Sequence, residues 1–220
     1  MPSSVIVAAA VEGIVDEAVA GKVVAHAGGQ IGDVYGKAGK ALLRKKIRGY
    51  NKAARHSPWL VLVDLNGGAD CAPPLCRAWL PEPAPLLCFR VAVRQVEAWL
   101  IADADRLAEF LCVAKGKVPC DPETLPNAKA EMVNLARYSR RRAIREDMVP
   151  REGSGRAVGP AYSSRLIEFA TLYWLPEIAA QRADSLGRAI ACLKRLIEMA
   201  KPDVERGQGS APFAARGAPS

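Results

Sequence analysis

The sequence predicts an α/β fold, in which a mainly parallel sheet is flanked by helices. One observation is that short apolar runs alternate with amphipathic segments in the first half of the 220-residue chain. A strand–helix–strand–helix order of this kind is typical of a doubly wound, Rossmann-like parallel sheet. Another is that only helical periodicity recurs after about residue 114, so the C-terminal half is expected to be mostly helical.

Buried strands are predicted over residues 5–11, 59–64 and 86–93, and a shorter strand over 33–35. The runs at 5–11 and 59–64 are continuously apolar, which suits strands that are covered by helices on both faces. Helices are predicted, in chain order, over residues 16–27, 41–55, 71–80, 95–101, 104–113, 127–137, 139–146, 161–174 and 185–199.

These elements divide the chain into three parts. Residues 1–113 are predicted to form the α/β core, and residues 114–202 a helical extension packed on that core. Residues 203–220 are rich in Gly, Ala, Pro and Ser, a composition typical of disordered segments.

No segment predicts export or insertion into a membrane. No apolar run approaches the roughly 20 residues of a membrane-spanning helix, and the N-terminus lacks the basic region and cleavage site of a signal peptide. We therefore expect a cytoplasmic protein with no membrane partner. The six cysteines include no CxxC pair that would favour a zinc site. A disulfide scaffold is not expected in a chain of this length without an export signal, and most of the cysteines are expected to be small buried side chains.

The chain carries a formal net charge of +8, and its basic residues are bunched within residues 37–55 and 137–156. Such bunching favours nucleic acid or another polyanion as a partner, although a solvated helix face gives the same pattern. The residues expected to contact phosphate groups are Lys40, Arg44, Arg94, Arg151 and Arg156.

Two of these arginines, Arg151 and Arg156, lie in a glycine-rich segment at 149–160. Gly153 and Gly155 in this segment favour a backbone nest that binds an anion, and a flexible connector is the alternative. The segment lacks the Gly-Lys-Ser/Thr ending of a Walker A motif, and no strand precedes it as in a GxGxxG fingerprint.

Acidic residues follow two of the predicted strands. Glu12 comes directly after the strand at 5–11, and Asp64 ends the strand at 59–64. Ligands and metals bind at the carboxyl ends of parallel strands, and carboxylate oxygens suit Mg²⁺ or Mn²⁺. The candidate metal ligands are Glu12, Asp64, Asn66 and Asp70. The alternative is that these side chains only cap turns, and Asp16 is interpreted mainly as a helix cap.

A further acid, Glu97, lies in the first turn of the helix that follows the strand at 86–93. Arg90 and Arg94 are close to it in the sequence. Either they form a structural ion pair with Glu97, or they contact a phosphate group beside it.

These motifs resemble the Toprim domain, the metal-binding α/β module of topoisomerases, primases and nucleases of the overcoming-lysogenization-defect type. One strand ends in Glu12-Gly13, and another ends in Asp64-Leu65-Asn66, where the Toprim pattern is Asp-x-Asp. The segment at 96–103 is similar to the glutamate-bearing segment of an uncharacterised bacterial Toprim-like family. Members of that family are often encoded beside AAA or ABC-type ATPases.

The resemblance covers roughly the first half of the chain. It implies that Glu12 acts as general acid/base or metal ligand and that Asp64 holds Mg²⁺. Asn66 departs from the pattern, which lowers the expected metal affinity unless Asp70 or Glu97 compensates.

The expected function is therefore that of a Mg²⁺-dependent (or Mn²⁺-dependent) nuclease-like enzyme, the effector partner of an ATPase in bacterial defence. Its expected catalytic residues are Glu12, Asp64 and Glu97. The alternative is a catalytically degenerate Toprim-like scaffold that serves as a binding subunit of an ATPase complex. A basic nucleic-acid binder without chemistry is a third hypothesis.

Overall fold

A computed structural model describes residues 4–65 and 71–201 of the chain. The segment at 203–220, for which the sequence predicts disorder, lies outside the described residues. None of the helices in the described ranges combines the length and the apolar character needed to cross a bilayer.

The predicted parallel sheet is confirmed. Its four strands are β1 (Ile6–Val11), β2 (Gln30–Gly36), β3 (Trp59–Asp64) and β4 (Leu87–Ala92), and all neighbours pair in parallel in the order β2-β1-β3-β4. Every residue of β3 is buried, as expected of an unbroken apolar run inside a two-sided sheet. β2 is longer than the segment predicted at 33–35, because Ile31 and its neighbours pair with β1.

The helices follow the strands and dominate the C-terminal half, as predicted. They are α1 (Ile14–His26), α2 (Lys40–Ala53), α3 (Ala72–Trp79), α4 (Val96–Ala102), α5 (Ala104–Leu111), α6 (Ala128–Arg137), α7 (Arg142–Met148), α8 (Tyr162–Glu168), α9 (Pro176–Ala179) and α10 (Asp184–Ala200). Single 3₁₀ turns lie at Lys115–Lys117 and Pro122–Thr124, and a π-helical turn spans Phe169–Tyr173.

The sheet separates two hydrophobic cores, because successive residues of a strand point to opposite faces. On β3, Leu60 and Leu62 belong to the core shared with α1 and the helical half. Val61 and Val63 belong to a smaller core covered by α2 and α3. α1 and α2 therefore lie on opposite faces of the sheet, as in doubly wound folds.

The helical half shares the larger of these cores with the sheet. Trp174 is fully buried, and its indole nitrogen donates to the carbonyl oxygen of Trp99 at 3.1 Å. The indole nitrogen of Trp99 in turn donates to Ser185 Oγ at 2.7 Å. These two hydrogen bonds join α4 to the C-terminal helical segments.

Three further details differ from the sequence prediction. The helix predicted over 139–146 begins later, at Arg142, because Ser139 Oγ accepts the backbone N–H of Arg141 at 3.0 Å and forms a local turn. The helix predicted over 161–174 changes to π-helical geometry at Phe169. The expectation that most cysteines are buried is wrong, since Cys88 alone among them is fully buried in the described residues.

Candidate functional site

The ends of β1 and β3 meet at the point where the chain changes from one face of the sheet to the other. β1 and β3 are neighbours, and the helices that follow β1 and β2 pack on opposite faces. In doubly wound sheets this switch point is the usual ligand crevice. Glu12 Oε1 accepts the backbone N–H of Asp64 at 2.9 Å, so the two predicted acids are in contact there.

The turn between β2 and α2 packs against the end of β1. Gly36 has φ +92°, and a Cβ at this position would lie 2.3 Å from the carbonyl oxygen of Val11, so only glycine fits. The close approach lets the N–H of Gly39 donate to the carbonyl oxygen of Glu12 at 3.0 Å. It also places Lys40 Nζ 2.6 Å from the carbonyl oxygen of Asp64.

Two further acids complete what we call the carboxylate cluster, Glu12, Asp16, Asp64 and Glu97. Asp16 lies in the first turns of α1 and Glu97 in the first turn of α4, and both are buried, with 8 % and 2 % of their surface exposed. Asp64 Oδ1 accepts the N–H of Val96 at 2.9 Å, which brings α4 to the end of β3. Asp16, Asp64 and Glu97 line one cavity of about 320 Å³, the carboxylate cavity.

The helical half supplies the two side chains that contact Glu97 in this cavity. Lys129 Nζ lies 3.4 Å from Glu97 Oε1, and the Tyr162 hydroxyl donates to the same oxygen at 3.3 Å. The backbone N–H of Lys129 donates to Gln95 Oε1 at 3.0 Å, which fixes the start of α6 beside the start of α4. Lys129 and Tyr162 both line the carboxylate cavity, together with Lys37 from the turn after β2.

Burial and mutual repulsion weaken the acidity of the cluster. Desolvation raises the pKa of Asp64 to about 8, with further upward contributions from the neighbouring charges of Asp16, Glu97 and Glu12. Desolvation likewise raises the pKa of Asp16 to about 7 and raises that of Glu12. Burial beside Glu97 also raises the pKa of Tyr162, so its hydroxyl keeps its proton and remains a donor.

The chemistry of the donor set fits a hard divalent cation. Asp16 Oδ1 and Glu97 Oε2 are buried without a hydrogen-bond partner among the described residues, and a buried polar atom of this kind is costly unless something binds it. Within residues 4–65 and 71–201, no three His, Cys, Asp or Glu side chains are arranged as ligands of one metal ion. Asp16, Asp64 and Glu97, with Glu12, carry the carboxylate oxygens that Mg²⁺ or Mn²⁺ prefers, and they would hold such an ion together only after their side chains move.

Two of the predicted ligands, Asn66 and Asp70, lie outside the described residues. Of the two roles expected for Arg90 and Arg94, the ion pair with Glu97 is not observed. Glu97 contacts Lys129 and Tyr162, and no ion pair joins it to Arg90 or Arg94 in the described part of the chain.

The predicted phosphate-contacting residues fall into two groups. Lys40 lies at the carboxylate cluster. Arg44 is one turn further along α2, and both cations lie over the ring of Trp79, at 5.9 and 5.8 Å from its centroid. Arg94, Arg151 and Arg156 are exposed, and none of them lines the carboxylate cavity as far as the structure describes it. Gly153 and Gly155 have φ +73° and +65°, the left-handed backbone expected of a tight turn.

Sequence reasoning missed Lys129 and Tyr162, and it interpreted Asp16 as a helix cap. The position of Asp16 carried a usable signal, because it is four residues after Glu12 and α1 starts between them. No local pattern marks Lys129 or Tyr162, since each meets Glu97 only through tertiary packing.

Comparison with models of protein families, with curated proteins and with solved structures gives no match to this chain. The resemblance to the Toprim domain therefore depends on the motif residues themselves. The function has to be argued from the geometry of the carboxylate cavity.

Proposed function

We propose that this chain is a Toprim-like, Mg²⁺- or Mn²⁺-dependent nuclease that hydrolyses phosphodiester bonds. The observation that carries the proposal is the carboxylate cluster. Asp64 at the end of β3 lines one cavity with Asp16 and Glu97 from two helix starts, and Glu12 at the end of β1 contacts Asp64. Two buried oxygens of the cluster have no partner among the described residues. A bound divalent cation would polarise a phosphate group and lower the pKa of a water molecule in that cavity.

The protein side chains divide the remaining tasks. Glu12 is only partly buried, and burial raises its pKa from the usual carboxylate value toward neutral pH. A carboxyl group of this kind is suited to exchange a proton with water or a leaving oxygen. Asp16, Asp64 and Glu97 are buried and would hold the cation. Lys37 and Lys129 line the same cavity and supply ammonium groups for phosphate oxygens.

Cleavage of labelled DNA and RNA by the full chain tests the proposal. We expect cleavage with Mg²⁺ or Mn²⁺, none with EDTA, and a loss of activity in Glu12→Gln and Asp64→Asn. Asp105→Asn is the matched control, because Asp105 is exposed on α5 and paired with Lys115 outside the cavity. Absence of cleavage under all conditions, or cleavage that survives both cluster substitutions, would overturn the proposal.

One observation favours a second function, that of a binding subunit in an ATPase complex. Leu172 and Tyr173 are 68 % and 47 % exposed on the π-helical turn, and neighbouring exposed apolar side chains are typical of partner surfaces. Asn66, in place of the second Toprim aspartate, points the same way. Affinity purification from the native host tests this: an ATPase that co-purifies with the native chain but not with Leu172→Asp supports it, and a monomer without partners contradicts it.

A further inference from the structure

A second cavity lies in the helical half and is rich in arginine. It has a volume of about 570 Å³ and is lined by Arg137 at the end of α6, Arg145 on α7 and Arg151 just after α7. We call it the arginine cleft. Of these three residues, the sequence marked only Arg151 as a phosphate-contacting residue.

The positive charge of the arginine cleft is not neutralised by its acidic neighbours. Glu146 and Asp147 also line it, but Glu146 is paired with Arg142 at 2.7 Å and Asp147 with Arg165 at 2.8 Å. Arg145 donates to the neutral carbonyl oxygen of Ser139 and forms no ion pair within the residues that the structure describes.

The other two arginines, Arg137 and Arg151, are exposed. Neither forms an ion pair within the residues that the structure describes. Three guanidinium charges therefore remain to bind an anion in the arginine cleft.

One short segment separates the arginine cleft from the carboxylate cavity. Pro160 lines the cleft, whereas Val158, Tyr162 and Ser163 line the carboxylate cavity. The segment packs closely on the end of α7, because a Cβ on Gly159 would lie 2.4 Å from the carbonyl oxygen of Asp147. The two cavities are therefore lined by neighbouring residues of one short segment.

We propose that the arginine cleft binds the sugar–phosphate backbone of a nucleic-acid strand whose scissile phosphate occupies the carboxylate cavity. Arginine forms paired, charge-assisted hydrogen bonds with phosphate oxygens. A small anion would fill one cavity, but a polymer with a phosphate on every nucleotide fills both. The inference rests on the proposed function and adds to it a second region, outside the carboxylate cavity, that holds the backbone of the same strand.

Binding without metal tests the arginine cleft independently of catalysis. Labelled single strands of DNA and RNA with the same sequence are titrated with the full chain in EDTA over a range of salt concentrations. The variants are Arg137→Gln, Arg151→Gln and the double variant. The matched control is Arg188→Gln, an exposed arginine on α10 that is paired with Asp184 and lines neither cavity.

For each cleft arginine removed, we expect weaker binding and a slope of log K against log salt that is smaller by about 0.7. Arg188→Gln should bind as the native chain does. An equal loss on DNA and RNA indicates recognition of the shared backbone, and a loss on one polymer identifies that polymer as the ligand. No binding by the native chain, or native affinity and slope in the double variant, overturns the inference.

The cleavage assay separates this inference from the proposed function. If the native chain binds strands through the arginine cleft but never cleaves them with Mn²⁺, the nuclease proposal is contradicted. The inference that the cleft binds nucleic acid is still supported. If the native chain cleaves strands, and the double variant binds and cleaves them equally well, binding by the arginine cleft is contradicted. The nuclease proposal is then still supported. Both substituted arginines are exposed, so unchanged circular dichroism and thermal unfolding are expected of the variants.

Discussion

The α/β half supplies every acid of the carboxylate cluster, whereas the helical half supplies the two side chains that contact Glu97. These two groups are the ammonium of Lys129 and the phenol of Tyr162. The acids lose solvent when the helical half covers them, and the same half returns a positive charge and a hydrogen-bond donor. The helical half is therefore part of the site as well as part of the core.

The largest expected effect comes from a substitution that weakens the packing between the α/β half and the helical half. Trp174→Ala removes a fully buried indole that donates to the Trp99 carbonyl oxygen, and the free energy of unfolding should fall by about 3–5 kcal/mol. Denaturant unfolding measures the change. Leu172→Ala is the control, because Leu172 is exposed on the π-helical turn just before Trp174 and should change stability by no more than about 0.5 kcal/mol. Equal effects in both variants would contradict the shared core.

The next effect concerns the acids alone. The raised pKa values of Asp16 (about 7) and Asp64 (about 8) mean that the folded chain binds more protons than the unfolded chain above the usual carboxylate range. The free energy of unfolding of the metal-free protein should therefore fall as pH rises from about 5 to about 8, by a few kcal/mol.

Thermal unfolding in EDTA across this pH range checks the prediction. Asp64→Asn keeps an acceptor for the N–H of Val96 and removes the charge, so this variant should show a flatter profile and higher stability near pH 8. A native profile that rises with pH in EDTA would argue against the described burial of the cluster.

A smaller effect tests the charge supplied by the helical half. Lys129→Met removes the cation next to Glu97, and this cation lowers the pKa of Glu12 and Asp16. Apo stability should fall by about 2 kcal/mol, and Mn²⁺ binding should need a higher pH, because ligands must lose protons first. Calorimetric titration with Mn²⁺ at several pH values measures the shift. Lys115→Met, which removes an exposed lysine paired with Asp105, should leave the profile unchanged.

The smallest effect concerns the phenol. Tyr162→Phe removes the hydroxyl that donates to Glu97 Oε1, while Lys129 still contacts that oxygen. Loss of one buried hydrogen bond should lower the free energy of unfolding by about 1 kcal/mol. Denaturant unfolding measures the loss in Tyr162→Phe and compares it with that in Tyr138→Phe. Tyr138 is the control because it is 60 % exposed. A loss in Tyr162→Phe no larger than that in Tyr138→Phe would show that the hydroxyl contributes nothing.

The same division explains what could be predicted from the sequence. The strands, and with them the positions of Glu12 and Asp64, follow from apolar runs that need burial on both faces. Glu97 follows from its place in the first turn after β4. Lys129 and Tyr162 could not be predicted, because ordinary amphipathic helices carry them. Only the packing of α6 on α4 and of α8 on α1 brings them to Glu97.

The central claim is that the carboxylate cluster is a metal site. Its most direct test is to measure Mn²⁺ binding by the full chain near pH 8 with electron paramagnetic resonance. The carboxylate cluster should bind at least one Mn²⁺ per chain, and binding should be lost in Asp64→Asn and retained in Asp105→Asn. If the native chain binds no Mn²⁺, or if Asp64→Asn binds it as tightly as the native chain, the cluster is not a metal site.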